Sequence, residues 1–198
     1  MTKVSDSELN QAFPREYPKD LGYVCATKEV SKYDLDRRLV VEKFEGKHWE
    51  SIQADVLREC FDVSSDLNPR AFHYFFPAFI KQSQADPEKT ILLVGSLVHM
   101  LADAEIHWPE SLKDAESRLL RDYSDIAEAI ASIDGKELSN WRQERWKLFT
   151  EQQWSIVQKW LRWIDQEQRL AVDRDVLREA MKNAAKWQVR RVGVTHER

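Results

Sequence analysis

The chain has 198 residues and a formal net charge of -4 at pH 7, with 42% hydrophobic residues, 32% charged residues and only 5 glycines. This length can bury the core of one domain. The composition excludes a disordered or collagen-like chain, and the low glycine count favours helices over short strands joined by turns. We therefore predict an all-α fold in a single compact multi-helix domain over residues 1–198.

The apolar runs and the cysteines of the sequence predict the cellular compartment of the protein. No apolar run has the length needed to cross a bilayer, and residues 1–6 lack the pattern of a signal peptide. Cys25 and Cys60 form neither a CxxC pair nor a disulfide framework, which fits a reducing compartment. We expect a cytoplasmic protein that does not associate with membranes and whose two thiols are structural.

The first part of the chain predicts short helices separated by loops. Residues 5–13 form the first helix, and two prolines interrupt regular structure over residues 14–23. Residues 33–44 form a second helix, and the run from Ile52 to Cys60 predicts a third because its apolar residues lie four apart. The apolar face of the second helix is formed by Leu35, Leu39, Val40 and Phe44.

An aromatic helix begins at Asn68 and Pro69. Asn68 can cap the helix with its side-chain oxygen, and Pro69 suits the first helical position, where no N–H is needed. Pro77 lies inside the pattern and predicts a kink, because it removes the hydrogen bond to the carbonyl of His73. The three- and four-residue spacing places on one buried face Phe72, Phe75, Phe76, Phe79 and Ile80.

Two further helices follow in the middle of the chain. Asp86, Pro87 and Glu88 form a cap, a first-turn proline and a favourable acidic residue, and they predict a buried central helix that runs to Leu101. Pro109 then opens a long amphipathic helix that ends at Gly135. Its apolar stripe is formed by Leu112, Leu119, Tyr123, Ile126, Ile130 and Ile133. Such a stripe usually packs internally, and the alternative is that it packs against a partner or a second copy in a homodimer.

The C-terminal third predicts two more helices. Thr150 and Gln153 form a capping box for a helix that runs through Asp165. A final helix over residues 175–189 has a common apolar side, and residues 190–198 are predicted to be a flexible tail. The apolar side of the final helix is formed by Leu177, Ala180, Met181, Ala184 and Trp187.

Tryptophan is abundant, with 8 in the chain. Trp154, Trp160 and Trp163 are spread around one predicted helix and cannot all face the same side. We therefore predict that at least one tryptophan is partly exposed. Exposed tryptophan is enriched at protein interfaces, which favours a binding protein.

Several of these segments resemble a known family. The element Phe44–Trp49, which contains Gly-Lys-His-Trp, and the segments Asn68–Phe72 and Phe76–Phe79 resemble an uncharacterised family of small bacterial helical proteins, and Phe149–Leu161 is similar to that family's closing helix. The likeness covers roughly half the chain and implies a bacterial origin and a helical fold. Residues 108–140 and the part after Gln166 fall outside it, so 108–140 is interpreted as a helical insertion. The resemblance supplies no catalytic residues and implies an immunity protein or another toxin-associated factor.

Charge is distributed unevenly along the chain. Residues 103–137 contain ten Asp or Glu and four Lys or Arg, whereas residues 138–198 contain thirteen basic and eight acidic residues. The acidic segment could attract a basic partner, and the alternative is that these charges only solvate helix faces. Nucleic acid is not expected as a partner, because the overall pI is about 5.8. It would have to bind the basic C-terminal residues Lys182, Lys186, Arg190 and Arg191, with Trp187 for stacking.

One polar cluster is a candidate metal site. His99 and Asp103 lie one helical turn apart, and Glu105 and His107 follow at the predicted helix end. Imidazole and carboxylate groups are suitable ligands for divalent metals, but the spacing matches no recognised metal motif. His48 and His73 lie among aromatic residues and are interpreted as packed or hydrogen-bonded histidines. No cofactor motif is present in the sequence.

These observations favour a non-enzymatic protein-binding factor, most concretely a bacterial immunity protein that binds and occludes a cognate toxin. Complementary charge would speed the encounter, and one or two aromatic anchors would supply most of the affinity. The alternative is a small metal-assisted hydrolase that uses His99, Asp103 and His107. The predicted partner contacts, all in the acidic segment, are Trp108, Glu110, Asp114, Asp122 and Asp125.

Overall fold

A computed structural model describes residues 2–19, 21–26, 30–60, 62–102 and 143–194. Within these ranges the chain is all-α, as predicted. The elements in chain order are α1 (Asp6–Ala12), α2 (Leu35–Phe44), a 3₁₀ turn (Trp49–Ser51), α3 (Ala54–Glu59), α4 (Val63–Asp66), α5 (Pro69–Ala85), α6 (Pro87–Ala102), α7 (Glu151–Ile164) and α8 (Arg174–Val194). A short helical turn over residues 143–146 precedes α7. None of the described helices is long and apolar enough to cross a membrane.

The predicted helix starts are confirmed where a side chain caps the backbone. The carboxamide oxygen of Asn68 accepts a 2.8 Å hydrogen bond from the N–H of Ala71 and so opens α5. Thr150 and Gln153 form the predicted capping box of α7. Ser5 forms another with Glu8 at the start of α1. Each cap satisfies backbone N–H groups that the helix itself leaves without a partner.

α5 forms the aromatic centre of the fold. Its phenylalanines are all buried, and the ring of Phe76 lies 5.0 Å from that of Phe149 and 5.9 Å from that of Trp160. The helix continues as one element through Pro77. The kink predicted at this proline stays a prediction. Because Phe76 contacts rings from both the 143–150 segment and α7, α5 ties the C-terminal part of the chain to the N-terminal part.

α6 is the helix around which others pack, since it contacts α3, α4, α5 and α8. α8 packs against both α6 and α7, and α7 also contacts α1. α8 continues to Val194, so the prediction that it ends near residue 189 is wrong. Gly193 costs the helix only about 1 kcal/mol relative to alanine, too little by itself to end it. The flexibility expected of residues 190–198 stays a prediction.

The tryptophans of α7 are all buried, but Trp187 of α8 is only partly buried, which confirms the prediction that at least one tryptophan is partly exposed. Trp154 stacks on Trp187 of α8, with the ring centroids 6.1 Å apart. Trp160 donates its indole N–H to the hydroxyl oxygen of Ser83 in α5 at 2.9 Å. Trp163 lies beneath the ammonium group of Lys3, 5.9 Å from the ring centroid. Neighbours on different sides of α7 cover the three indoles, so the three tryptophans need not share one face of the helix to be buried.

Buried glutamines join segments that are distant in the sequence. Gln84 accepts a hydrogen bond from the N–H of Val4 at 3.1 Å and donates one to its carbonyl at 2.9 Å. Gln82 donates to the carbonyl of Ile52 at 2.9 Å. A carboxamide provides both a donor and an acceptor, so it can satisfy loop backbone that has no helical partner. These bonds hold the segment before α1 and the 3₁₀ region against α5.

Two predictions for the N-terminal half need correction. Leu35 was expected on the buried face of α2, but it is 70% exposed. It is the first residue of α2, whereas Val40 and Phe44, further along the helix, are buried. The run from Ile52 to Cys60 is not one helix, since Ile52 ends the 3₁₀ turn and α3 covers only Ala54–Glu59.

Candidate partner-binding surface

The predicted toxin contacts lie outside the described residues, as do the metal-site candidates Asp103, Glu105 and His107. Of that cluster only His99 is described. The predicted toxin contacts that lie outside the described residues are Trp108, Glu110, Asp114, Asp122 and Asp125. The structure describes the residues on either side of this segment.

Both flanks of the acidic segment are fixed to the framework. At the end of α6, the side-chain amide of Asn183 donates hydrogen bonds to the carbonyls of Leu101 at 3.2 Å and Ala102 at 3.1 Å. Where the chain returns, the guanidinium of Arg145 donates to the carbonyl of Ser65 at 3.1 Å and to that of Leu67. These bonds satisfy carbonyl groups at the C-terminal ends of α6 and α4. Ala102 and Arg145, which lie on either side of residues 103–142 in the sequence, are therefore fixed to neighbouring helices.

Arg145 is a fully buried cation. Burial lowers the pKa of its guanidinium to about 9, and the charge of Asp66 opposes that effect. The guanidinium carbon also lies 5.8 Å from the centroid of the Phe72 ring. Burial of a cation costs free energy of folding unless hydrogen-bond acceptors satisfy its N–H donors. The hydrogen bonds to the end of α4 account for its position.

The metal hypothesis gains no support from the described part of the chain. His99 lies in the last turn of α6, and its Nδ1 atom is buried with no hydrogen-bond partner there. Within the described ranges, no group of three or more His, Cys, Asp or Glu side chains is placed to hold a metal ion. The hydrolase alternative with His99, Asp103 and His107 stays a prediction.

His48 and His73 occupy separate structural positions. His48 Nδ1 lies 3.1 Å from the carbonyl oxygen of Arg15, and the indole of Trp49 donates to the carbonyl of Pro14 at 3.0 Å. The Gly-Lys-His-Trp element thus holds the irregular segment around Pro14 and Arg15 against the core. His73 packs against the rings of Phe13 and Phe149. Burial lowers its pKa, and the hydrogen bond to Gln153 partly opposes this shift.

Both cysteines are free and buried, as predicted. Burial raises the pKa of the Cys25 thiol and that of the Cys60 thiol to about 11, and nearby carboxylates act in the same direction. A nucleophilic cysteine needs a lowered pKa and access to its substrate. Neither thiol has these properties.

An acidic indentation lies where α2 meets the short helices α3 and α4. We call it the α2–α4 surface, and its lining residues are Asp36, Leu39, Val40, Glu59, Cys60, Asp62 and Asp66. Asp66 is paired with Arg37 at 3.2 Å, and Glu59 with Lys43 at 3.6 Å. Asp36 and Asp62 are exposed and form no ion pair with any described residue. Their charges are therefore available to a partner.

Exposed apolar residues lie at the start of α2, whose first turn also carries Asp36 of this surface. Leu35 is 70% exposed and lies one helical turn before Leu39, on the same side of α2. Tyr33, which precedes the Asp34 cap of α2, is 80% exposed. The cavity within the indentation is only about 10 Å³, whereas small-molecule sites usually measure about 300–1,000 Å³. The α2–α4 surface suits contact with a macromolecule better than enclosure of a metabolite.

A larger groove of about 300 Å³ lies at the turn between α7 and α8. Its charged groups are paired locally: Arg174 lies 3.6 Å from Asp165, and Arg169 lies 2.8 Å from Glu167. The hydrogen bonds from Arg169 lower the pKa of Glu167 to about 2. The charged residues that line this groove, Asp165, Glu167 and Arg174, thus all have ion-pair partners within the described part of the chain.

The fold and these surfaces define an all-α protein whose described histidines and cysteines mostly serve packing and hydrogen bonding. No protein-family model, curated protein or solved structure matches the chain. Sequence reasoning missed the α2–α4 surface because its carboxylates come from separate helices with no regular spacing. The density of acidic residues over Asp34–Asp66 was the signal that could have indicated it.

Proposed function

We propose that the chain is a non-enzymatic protein-binding factor of the cytoplasm, most concretely a bacterial immunity protein that binds and neutralises a cognate toxin by occluding it. The acidic segment at residues 103–137 is the proposed binding region, with Trp108, Asp114, Asp122 and Asp125 among its contacts. The resemblance of the Gly-Lys-His-Trp element and the aromatic helix to small bacterial helical proteins supports this class.

The observation that carries the proposal is the anchoring of both flanks of this segment. Asn183 binds the end of α6 where the segment begins, and buried Arg145 binds the end of α4 where the chain returns. An acidic segment held between two fixed points loses less conformational entropy on binding than one attached at a single end. Fixed flanks therefore favour a role in recognition.

Electrostatics would act mainly on the rate of association. An excess of negative charge in residues 103–137 attracts a basic partner, and the attraction weakens as salt screens it. Affinity would come from a few desolvated anchors, for which Trp108 is the best candidate in the segment. Occlusion needs no chemistry from the immunity protein, which is consistent with the structural roles of His73, Cys25 and Cys60.

The test begins with affinity capture from a lysate of the native bacterium at low and high salt, followed by mass spectrometry. A captured toxin is then measured against the triple variant Asp114→Lys, Asp122→Lys and Asp125→Lys. We expect association to slow by about tenfold or more, and protection of toxin-expressing cells to be lost.

The matched control reverses three exposed acidic residues outside residues 103–137, namely Glu144, Glu151 and Asp175. It makes the same change in net charge and should keep most of the binding. Equal affinity of the two triple variants for the captured toxin would refute the role of the acidic segment. A chain that binds a toxin yet fails to protect cells would refute neutralisation.

A further inference from the structure

We infer that the α2–α4 surface is a second docking site for the partner, and that its occupant is a basic segment carrying an apolar side chain. This inference rests on the proposed function, because it names what the same protein partner would present. Three observations carry it: the exposed apolar side chains at one end of the surface, its unpaired carboxylates, and its position beside the anchor of the acidic segment.

The apolar part is formed by Leu35 and Tyr33, which are 70% and 80% exposed. Scattered exposed apolar residues are normal, but these two lie within one turn of chain at the start of α2. Leu35 lies one helical turn before Leu39 on the same side of α2, and Leu39 lines the indentation. An apolar side chain from a partner could therefore contact Leu35 and Leu39 together.

The charges determine which partner fits. Asp36 and Asp62 are exposed and form no ion pair with a described residue, whereas Glu59 and Asp66 already have Lys43 and Arg37. Two uncompensated carboxylates beside an apolar edge complement a lysine or arginine that flanks an apolar residue. They disfavour an acidic segment, a nucleic acid or an anionic membrane surface, all of which they would repel.

The position of the surface connects it to the proposed binding region. Arg145 donates to the carbonyls of Ser65 and Leu67, which flank Asp66 of the α2–α4 surface. Arg145, which follows residues 103–142 in the sequence, therefore lies directly beside this surface. A partner large enough to span both could bind them at once, and two linked contacts raise affinity more than either does alone.

The test uses the full chain and a defined probe, a fluorescein-labelled amphipathic helical peptide with lysines around a leucine stripe. A peptide with glutamate in place of lysine is the charge control. We expect saturable binding of the lysine peptide in fluorescence anisotropy, with backbone amide shifts in NMR concentrated on α2, α3 and α4. Leu35→Ser and the pair Asp36→Lys with Asp62→Lys should each weaken binding by about tenfold.

Matched controls separate a specific site from general charge attraction. Leu92 on α6 is 66% exposed, so Leu92→Ser removes a comparable apolar side chain elsewhere. Asp175 and Glu151 lie in the first turns of α8 and α7, as Asp36 does in α2, so their joint replacement by lysine matches the charge change. Both controls should bind the peptide as the wild type does.

The inference is overturned if the lysine peptide does not bind, if its amide shifts lie outside α2–α4, or if Leu35→Ser binds as tightly as Leu92→Ser. Leu35 is so exposed that its replacement should not unfold the chain, which circular dichroism checks. The peptide assay does not depend on a toxin. A chain that binds the peptide at α2–α4 but protects no cells would therefore refute the proposed function alone.

Discussion

The imidazole Nε2 of His73 donates a 2.9 Å hydrogen bond to the carboxamide oxygen of Gln153. The same oxygen accepts the N–H of Thr150 at 2.9 Å, and the amide nitrogen of Gln153 donates to the carbonyl of Ala12 at 2.9 Å. Gln153 therefore joins α1, α5 and α7 through one side chain. Because its oxygen is the acceptor, the proton of neutral His73 lies on Nε2.

Replacement of Gln153 by alanine should destabilise the fold by about 2–3 kcal/mol, because three hydrogen bonds are lost and buried polar groups lose their partner. Chemical denaturation monitored by circular dichroism measures this change. Gln152→Ala is the control, since Gln152 is exposed on the same turn and should change stability by less than about 0.5 kcal/mol. Similar stabilities for the two variants would contradict the assigned role of Gln153.

The protonation of His73 should make stability depend on pH. Burial lowers its pKa below the ordinary value of 6.5, so the unfolded chain binds a proton that the folded chain does not. The stabilising contribution is complete above pH 6.5 and is lost as the pH falls towards the lowered pKa. Denaturation between pH 5 and pH 8 should show stability rising with pH, and His73→Asn should have a flatter profile. Parallel profiles would show that other groups cause the dependence.

The cysteines should be unreactive in the native state. Their thiols are buried, and their pKa values of about 11 leave little thiolate near pH 8. Iodoacetamide treatment followed by mass spectrometry should give no alkylation of the folded chain within minutes and two alkylations in denaturant. Rapid modification of the native protein at Cys25 or Cys60 would contradict this account.

Arg145 should be important for stability despite its burial as a cation. Arg145→Ala removes charge-assisted hydrogen bonds to Ser65 and Leu67 and should cost about 3 kcal/mol. Arg145→Lys keeps a charge but cannot reproduce the forked donors, so its stability should lie between those of alanine and wild type. The thermal midpoint measures both. Arg178→Ala, at a side chain 67% exposed, is the control with a small expected change.

Local features of the fold were predictable from the sequence because each depends on a few adjacent residues. Asn68 and Pro69 open α5, Asp86 precedes α6, which begins at Pro87, and Thr150 caps α7. Helix caps need only a side chain of suitable length and the backbone it faces. The aromatic face of α5 follows from helical spacing in the same way.

Features that depend on distant neighbours were not predictable. Trp163 is buried with the ammonium group of Lys3 over its ring, and Leu35 is exposed although Leu39, one turn later on the same side of α2, is partly buried. Nothing in the local sequence reports either arrangement. The α2–α4 surface has the same origin, since short helices bring Asp36 and Asp62 to one place. The predicted contacts in residues 108–125 stay predictions.

The burial of Trp49, Trp146, Trp154, Trp160 and Trp163 gives the protein a built-in spectroscopic signal. Indole emission shifts to longer wavelength when water reaches the ring, so these residues will fluoresce at short wavelength while the core is intact. Unfolding will shift their emission together, with no added dye. A partner that binds the surface will leave this part of the spectrum unchanged, and loss of the core can be distinguished optically from loss of binding.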